Sequence, residues 1–187
     1  LRLAYEIAIR EPLLIVAPDV AAVRALIDEK LPQRATERIT YHACPTNDTW
    51  ARDHAFLTVV SNDGPELLDF RFNGWGDKFE SNLDNAIYRT IFDKGHILGG
   101  TYADCLDFCL EGGSIESDGR GTLFTTSQCL LAPHRNQPLD HDSIDHLLQT
   151  FFQLKRVVWL DHGNLIGDDT DGHIDTIVRV APHDTLI

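Results

Sequence analysis

Methionine is missing from all 187 residues, position 1 included, so the chain is expected to be a processed form or a piece of a longer one. No apolar run approaches the ~18 residues of a membrane-spanning helix, and a bilayer crossing is not expected. The opening stretch LRLAYEIAIREPLLIVAPD mixes charged with apolar residues and lacks the order of a signal peptide, although a signal already removed would leave no trace. Cysteine is sparse. Cys44, Cys105, Cys109 and Cys129 contain no C-x-x-C pair, which argues against a zinc knuckle and against a disulfide scaffold; reduced, mostly buried thiols are expected. Positive charge is also short: 16 Lys and Arg stand against 29 Asp and Glu, a net charge of −13. A nucleic-acid partner is disfavoured, because its phosphates need cationic side chains. A cationic ligand suits that balance, although many acidic proteins gain nothing but solubility from it. No nucleotide-binding glycine loop occurs either, since GHILGG (95–100) has neither the lysine nor the spacing.

What is present is a recurring pattern. The stretches 18–31, 80–93 and 140–154 each open on a capping or acidic residue and carry apolar residues at helical spacing. Their starts lie roughly sixty residues apart. Short apolar runs follow (RITYHAC, CLDFCLE and RVVWLDH), each leading into an acid-bearing junction: TNDTWARD (46–53), EGGSIESDG (111–119) and GDDTDGHID (167–175). The first two junctions lead into hairpin patterns with Asp63-Gly64 and Asp118-Gly119 at their turns, and a third begins at HIDTIVRV. The unit reads as helix, strand, acidic junction, hairpin. Such units bury their cores by stacking or by closing a ring. An ordinary α/β sandwich with coincidental spacing is the alternative. The segment 93–104 reads as a loop or short strand, and nothing divides the chain, so a single α/β domain over 1–187, incomplete at its C-terminal end, is expected.

If the units surround an axis, equivalent junctions meet. Asp48, Asp53, Glu111, Asp169, His173 and Asp175 would then gather with Trp50. So many carboxylates stay ionised in one cleft only if a cation joins them. A planar guanidinium matches paired carboxylates, and flanking carboxylates would keep His173 protonated, as a general acid requires. Read as a strand, HID puts His173 and Asp175 on one side. Plainer readings compete. Asp168, Asp169 and Asp171 could be Asx-turn formers beside Gly172, His-x-Asp a structural hydrogen bond, Trp50 core and Glu111-Gly-Gly a bulge. A calcium loop fails on spacing, and a His/Asp zinc site is a distant alternative.

The segments NDTWARD (47–53), FNGWGDKF (72–79), EGGSIESDGRGTLFTTSQCLLAPHRN (111–136) and GDDTDGHID (167–175) together resemble the agmatine deiminase family, which is also the porphyromonas-type peptidylarginine deiminase family. The resemblance runs in order from about residue 3 to residue 187. It implies a pentein-type α/β propeller of five blades, about three of them in this chain, with no cofactor and no metal. It implies hydrolysis of a small cationic guanidinium substrate, agmatine first and peptidyl arginine second, in the cytoplasm or, after loss of a signal, outside the cell. A non-catalytic cation-binding module is the reading from another class. By resemblance Asp53 and Asp175 hold the guanidinium, His173 is the general acid/base and Glu111 orients it. Trp50 packs on the aliphatic arm, and Asp169, with Asp48 nearby, places the distal end. The family mechanism also needs a cysteine in a Gly-rich stretch ending IHC. No such stretch occurs here, so the chain alone is expected to be inactive. The motif WARDHAF departs from the family by carrying Ala55-Phe56 where Gly-Pro is usual. An incomplete ring would expose sheet edges, so self-association is expected.

Overall fold

The computed structural model describes residues 1–97, 99–163, 165–183 and 185–187. Leu98 of the stretch 93–104 and Asp184 of the third hairpin turn therefore lie outside the described residues, as does Asn164. Helix α1 spans Arg2–Ala8, strand β1 Leu13–Ala17, helix α2 Val20–Lys30 and strand β2 Ile39–Ala43. Strands β3 (Leu57–Ser61) and β4 (Gly64–Arg71) precede helix α3 (Asn82–Asp93) and strand β5 (Thr101–Cys109). The order then repeats with β6 (Ile115–Ser117), β7 (Thr122–Thr126), helix α4 (His141–Phe152) and β8 (Arg156–Leu160). The short pair β9 (Val180–Ala181) and β10 (Thr185–Leu186) follows.

The sheets group as β1-β2, β3-β4-β5, β6-β7-β8 and β9-β10. In both three-stranded sheets an antiparallel hairpin is joined, through a crossover helix, to a parallel third strand. Pairing of β1 with β2 across α2 is parallel as well. The sequence period is therefore correct but its phase is shifted. The sheet unit runs hairpin, helix, strand, and each acidic junction links one sheet to the next. Two hairpin details also differ from the sequence reading. Ser61 pairs with Gly64, so the first turn is Asn62-Asp63 rather than Asp63-Gly64. Past Thr126 the expected strand gives way to a one-turn helix, Ser127–Leu130, as the Thr126 side chain accepts a bond from the Cys129 N–H.

Helix starts follow their caps. Asp19 accepts from the Ala22 N–H and Asp140 from the Ser143 N–H, each at 2.9 Å. The start of α3 is capped from outside instead: Asn47 Oδ1 accepts from the Leu83 N–H at 2.7 Å, while Asp84 Oδ1 accepts from the Asn47 N–H at 2.8 Å. That exchange fastens the first junction to the helix. Ile87 and Ile91 of α3, and Ile144 and Leu148 of α4, are buried one turn apart. The largest core joins the two three-stranded sheets, with Leu68, Phe70 and Phe108 meeting Ile115, Leu123 and Leu148. Among the described residues, no helix is long and apolar enough to cross a membrane.

Candidate active site

The first junction ends in a one-turn helix, Ala51–His54, that buries Asp53 while leaving Trp50 60% exposed. Asp53 is held on both oxygens. Oδ1 accepts from the Gly113 N–H at 2.9 Å and Oδ2 from the Trp75 indole N–H at 3.0 Å. Trp75 reaches it because Gly74, Trp75, Gly76 and Asp77 all have positive φ, a tight reversal closed by Asn73 Oδ1 on the Gly76 N–H.

The second junction needs its two glycines for close approach rather than for a bulge. A Cβ on Gly112 would overlap the Arg52 carbonyl oxygen. One on Gly113 would lie 2.5 Å from His173 Nδ1, 2.7 Å from Asp53 Oδ1 and 2.9 Å from Asp175 Oδ2. Glu111 precedes them and is buried.

The third junction is not the strand expected from its alternation. Asp168 folds it as an Asx turn, accepting from the N–H groups of Thr170 and Gly172 at 2.9 and 2.7 Å. Although burial works the other way, the bonds from Thr170 and Gly172 hold the Asp168 carboxyl below its usual range. Asp171 pairs with Lys78 at 2.6 Å, and the same ammonium donates to the Asp169 carbonyl at 2.7 Å. His173 then caps a 3-10 turn, Ile174–Thr176. That turn, rather than a pleat, brings Asp175 to the same side as His173, with Asp175 Oδ1 4.0 Å from Nδ1.

These segments converge on one imidazole. His173 is 2% exposed, with Nε2 2.7 Å from Glu111 Oε2 and Nδ1 3.7 Å from Asp53 Oδ1. An ionised carboxylate can only accept, so the bond to Glu111 makes Nε2 the N–H and turns Nδ1 toward Asp53 and Asp175. A cavity of about 490 Å³ opens on that face, lined by Asp53, His173 and Asp175 at the chemistry end and by Trp50, Asp48 and Asp169 among its other walls. Burial raises the Asp175 carboxyl above its usual range; His173 counters this and Asp53 adds to it. Of the sequence candidates, Glu111 alone is not on the cavity wall. It lies buried behind His173, where Arg135 Nη2 meets the same Oε2 at 3.0 Å. Trp75, Gly113 and Arg135 were not singled out from the sequence. The pairs Gly74/Gly76 and Gly112/Gly113 were the available signals for the first two, and nothing local marked Arg135.

Cys129 comes near this group without joining the cavity. It shares with Glu111 and His173 a cluster of potential metal ligands within 4.8 Å. The Arg135 guanidinium already fills the cation's place, with Nη1 2.8 Å from Cys129 Sγ and Nη2 on Glu111. Burial pushes the Cys129 and Cys109 thiols up to about 12 and Cys105 to about 11, which suits none of them as a nucleophile.

The sequence profile of the Porphyromonas-type peptidyl-arginine deiminase family matches residues 1–187. A Porphyromonas gingivalis protein provisionally named arginine deiminase superposes with a TM-score of 0.89 at 43% identity, over 96% of this chain and 52% of its own. A cysteine-to-serine variant of C. jejuni agmatine deiminase with substrate bound superposes with a TM-score of 0.85 at 37% identity, over 99% of this chain and 53% of its own. A Vibrio parahaemolyticus protein provisionally named agmatine deiminase is 34% identical over 144 residues, 73% of this chain and 38% of that one. The mixed α/β fold is thus that of agmatine and arginine deiminase structures, and the chain spans about half the length of these relatives or less.

Proposed function

The chain belongs to the Porphyromonas-type peptidyl-arginine deiminase family, and from that premise we propose that it forms the guanidinium-binding and acid–base half of an agmatine deiminase. One observation carries the reading: Asp53 and Asp175 flank His173 Nδ1 at 3.7 and 4.0 Å on a cavity wall. A guanidinium between the two carboxylates restores the charge balance that burial denies Asp175, and its flat fork lets each side be held separately. Trp50 covers the aliphatic arm, while Asp169 and Asp48 face the distal amine.

The nucleophile in this reading is a cysteine thiolate from a part of the protein outside residues 1–187. Its sulfur bonds to the guanidinium carbon, and the C–N bond to the departing ammonia breaks as His173 Nδ1 gives up its proton. Water then adds to the same carbon, Nδ1 takes its proton, and the S–C bond breaks to leave the ureido product. The four successive sheets, joined by three acid-bearing junctions, support the five-bladed pentein arrangement around this site. Four free thiols fit a reducing, cytoplasmic setting.

The test is full-length protein with agmatine, followed by ureido product and ammonia. Turnover is expected, and Asp175→Asn is expected to lower it by about 10³-fold or more while the protein stays folded. Unchanged turnover in Asp175→Asn would overturn the clamp. A capped arginine amide, run in parallel, reads out the peptidyl-arginine alternative and is expected to be the poorer substrate.

A further inference from the structure

Behind the imidazole lies a charged group that the cavity never meets. Arg135 is 3% exposed, and Glu111 and His173 are 1% and 2% exposed. Glu111 Oε2 receives both His173 Nε2, at 2.7 Å, and Arg135 Nη2, at 3.0 Å, whereas Oε1 has no partner among the described residues. One oxygen is therefore shared between the two cations that could neutralise it. The guanidinium reaches further groups: Nη1 donates to the Cys129 carbonyl at 3.0 Å and to its Sγ at 2.8 Å, and Nη2 to the Thr170 carbonyl at 2.9 Å, three residues before His173, while Nε has no partner among the described residues.

We propose that Arg135 is a positioning residue for the acid–base step, balancing the Glu111 carboxylate on their shared oxygen so that His173 can release and regain its proton at Nδ1. This rests on the deiminase reading of the same site. A buried carboxylate needs a cation. Without Arg135 the nearest one is the imidazolium itself, and the proton would be held in the Glu111–His173 pair. With Arg135 present that pair carries its compensating charge from behind, and the imidazole faces the substrate in either protonation state.

The other charged and titratable groups around the imidazole are Asp53 and Asp175 on the cavity side, Asp168 in the preceding turn and the Cys129 thiol beside Arg135. Arg71 donates through Nη2 to the Arg135 carbonyl, Cys109 interacts electrostatically with both Glu111 and Arg135, and Arg52 acts on Asp175. None of them contacts Glu111 Oε2 by hydrogen bond or ion pair among the described residues.

The experiment is an NMR titration of the His173 ring nitrogens in full-length protein, with the pH profile of kcat/KM beside it. In Arg135→Met the His173 midpoint is expected to rise by about one pH unit or more. The kcat/KM limb that requires neutral His173 should move with it. Arg135→Lys, which keeps the charge but not the fork, should remain closer to wild type. Should Arg135→Met fail to fold, Arg135→Gln, which keeps a donor but not the charge, is titrated in its place. Its midpoint is expected to rise in the same direction, since Glu111 is retained and its compensating cation is lost.

An unmoved midpoint in Arg135→Met, or in Arg135→Gln where that replaces it, overturns the proposal. The titration needs no turnover, so the two readings fail separately. An inactive wild type counts against the deiminase, whereas the midpoints judge Arg135.

Discussion

Substituting Gly113 by alanine puts the proposed site under the most local test the structure offers. Gly113 is not among the residues of positive φ, so the added methyl carries no backbone penalty and acts through space alone. It would lie 2.5 Å from His173 Nδ1, against the 3.4 Å at which ordinary contact begins, so the pair must separate by about 0.9 Å. Retreat is blocked on both sides. His173 is bonded to Glu111 at 2.7 Å, and Asp53 to the Trp75 indole at 3.0 Å. Overpacking of this kind costs about 1–3 kcal/mol of stability. A displacement near 1 Å at reacting groups costs about 10²-fold in rate. Full-length Gly113→Ala is therefore expected to lose about 10²-fold in kcat/KM for agmatine, followed by ureido product, while its melting temperature drops by a few degrees. A variant within about threefold of wild type would refute the reasoning, since the glycine would then not be what lets the three groups meet.

Asp69 gives a pH test away from the site. It is buried, accepts the Tyr102 hydroxyl at 2.8 Å, and burial lifts its carboxyl to about 6. A raised acid binds its proton more tightly in the folded state, so stability falls as pH rises through about 6; relative to Asp69→Asn, wild type should lose about 2–3 kcal/mol between pH 4 and pH 7, seen by denaturant titration at each pH. Lys78→Ala removes the clasp from Lys78 to Asp171 and to the Asp169 carbonyl. It should cost under about 1 kcal/mol because the pair is partly exposed, yet raise the KM for agmatine several-fold; an unchanged KM would detach this loop from substrate placement. Among the four cysteines of this chain, alkylation followed by peptide mapping should mark half-buried Cys105 before buried Cys109 and Cys129. Early labelling of Cys129 would show that the wall between it and the cavity opens.

Which polar residues meet was more legible in the sequence than how the sheets around them pair. Apolar spacing located α2, α3 and α4 to within two residues at each end, since each helix buries one stripe against a sheet. The parallel pairings of β1-β2, β4-β5 and β7-β8 were not legible, because a run such as RVVWL does not say which neighbour it will choose. HID read as a pleat from its alternation, with Asx turns beside Gly172 as the competing local pattern. The Asx bonds of Asp168 to Thr170 and Gly172 override it and impose a turn. Asp53, Glu111, His173 and Asp175 were found as residues of the recurring acid-bearing junctions and by the family resemblance. Arg135 escaped notice because Glu111 and Thr170, which it binds, lie 24 and 35 residues away, with no local periodicity to announce them.

Each acidic junction is anchored at its two ends in different sheets, so the spacing between Asp53 and His173 is a gauge of how neighbouring sheets are docked. Every ladder could survive a slight loosening of that docking while the carboxylates drifted from the imidazole. Heating full-length protein should accordingly end the proposed agmatine turnover several degrees before far-ultraviolet dichroism registers any change, and a screen that scores secondary structure alone would pass variants whose carboxylates no longer face the imidazole.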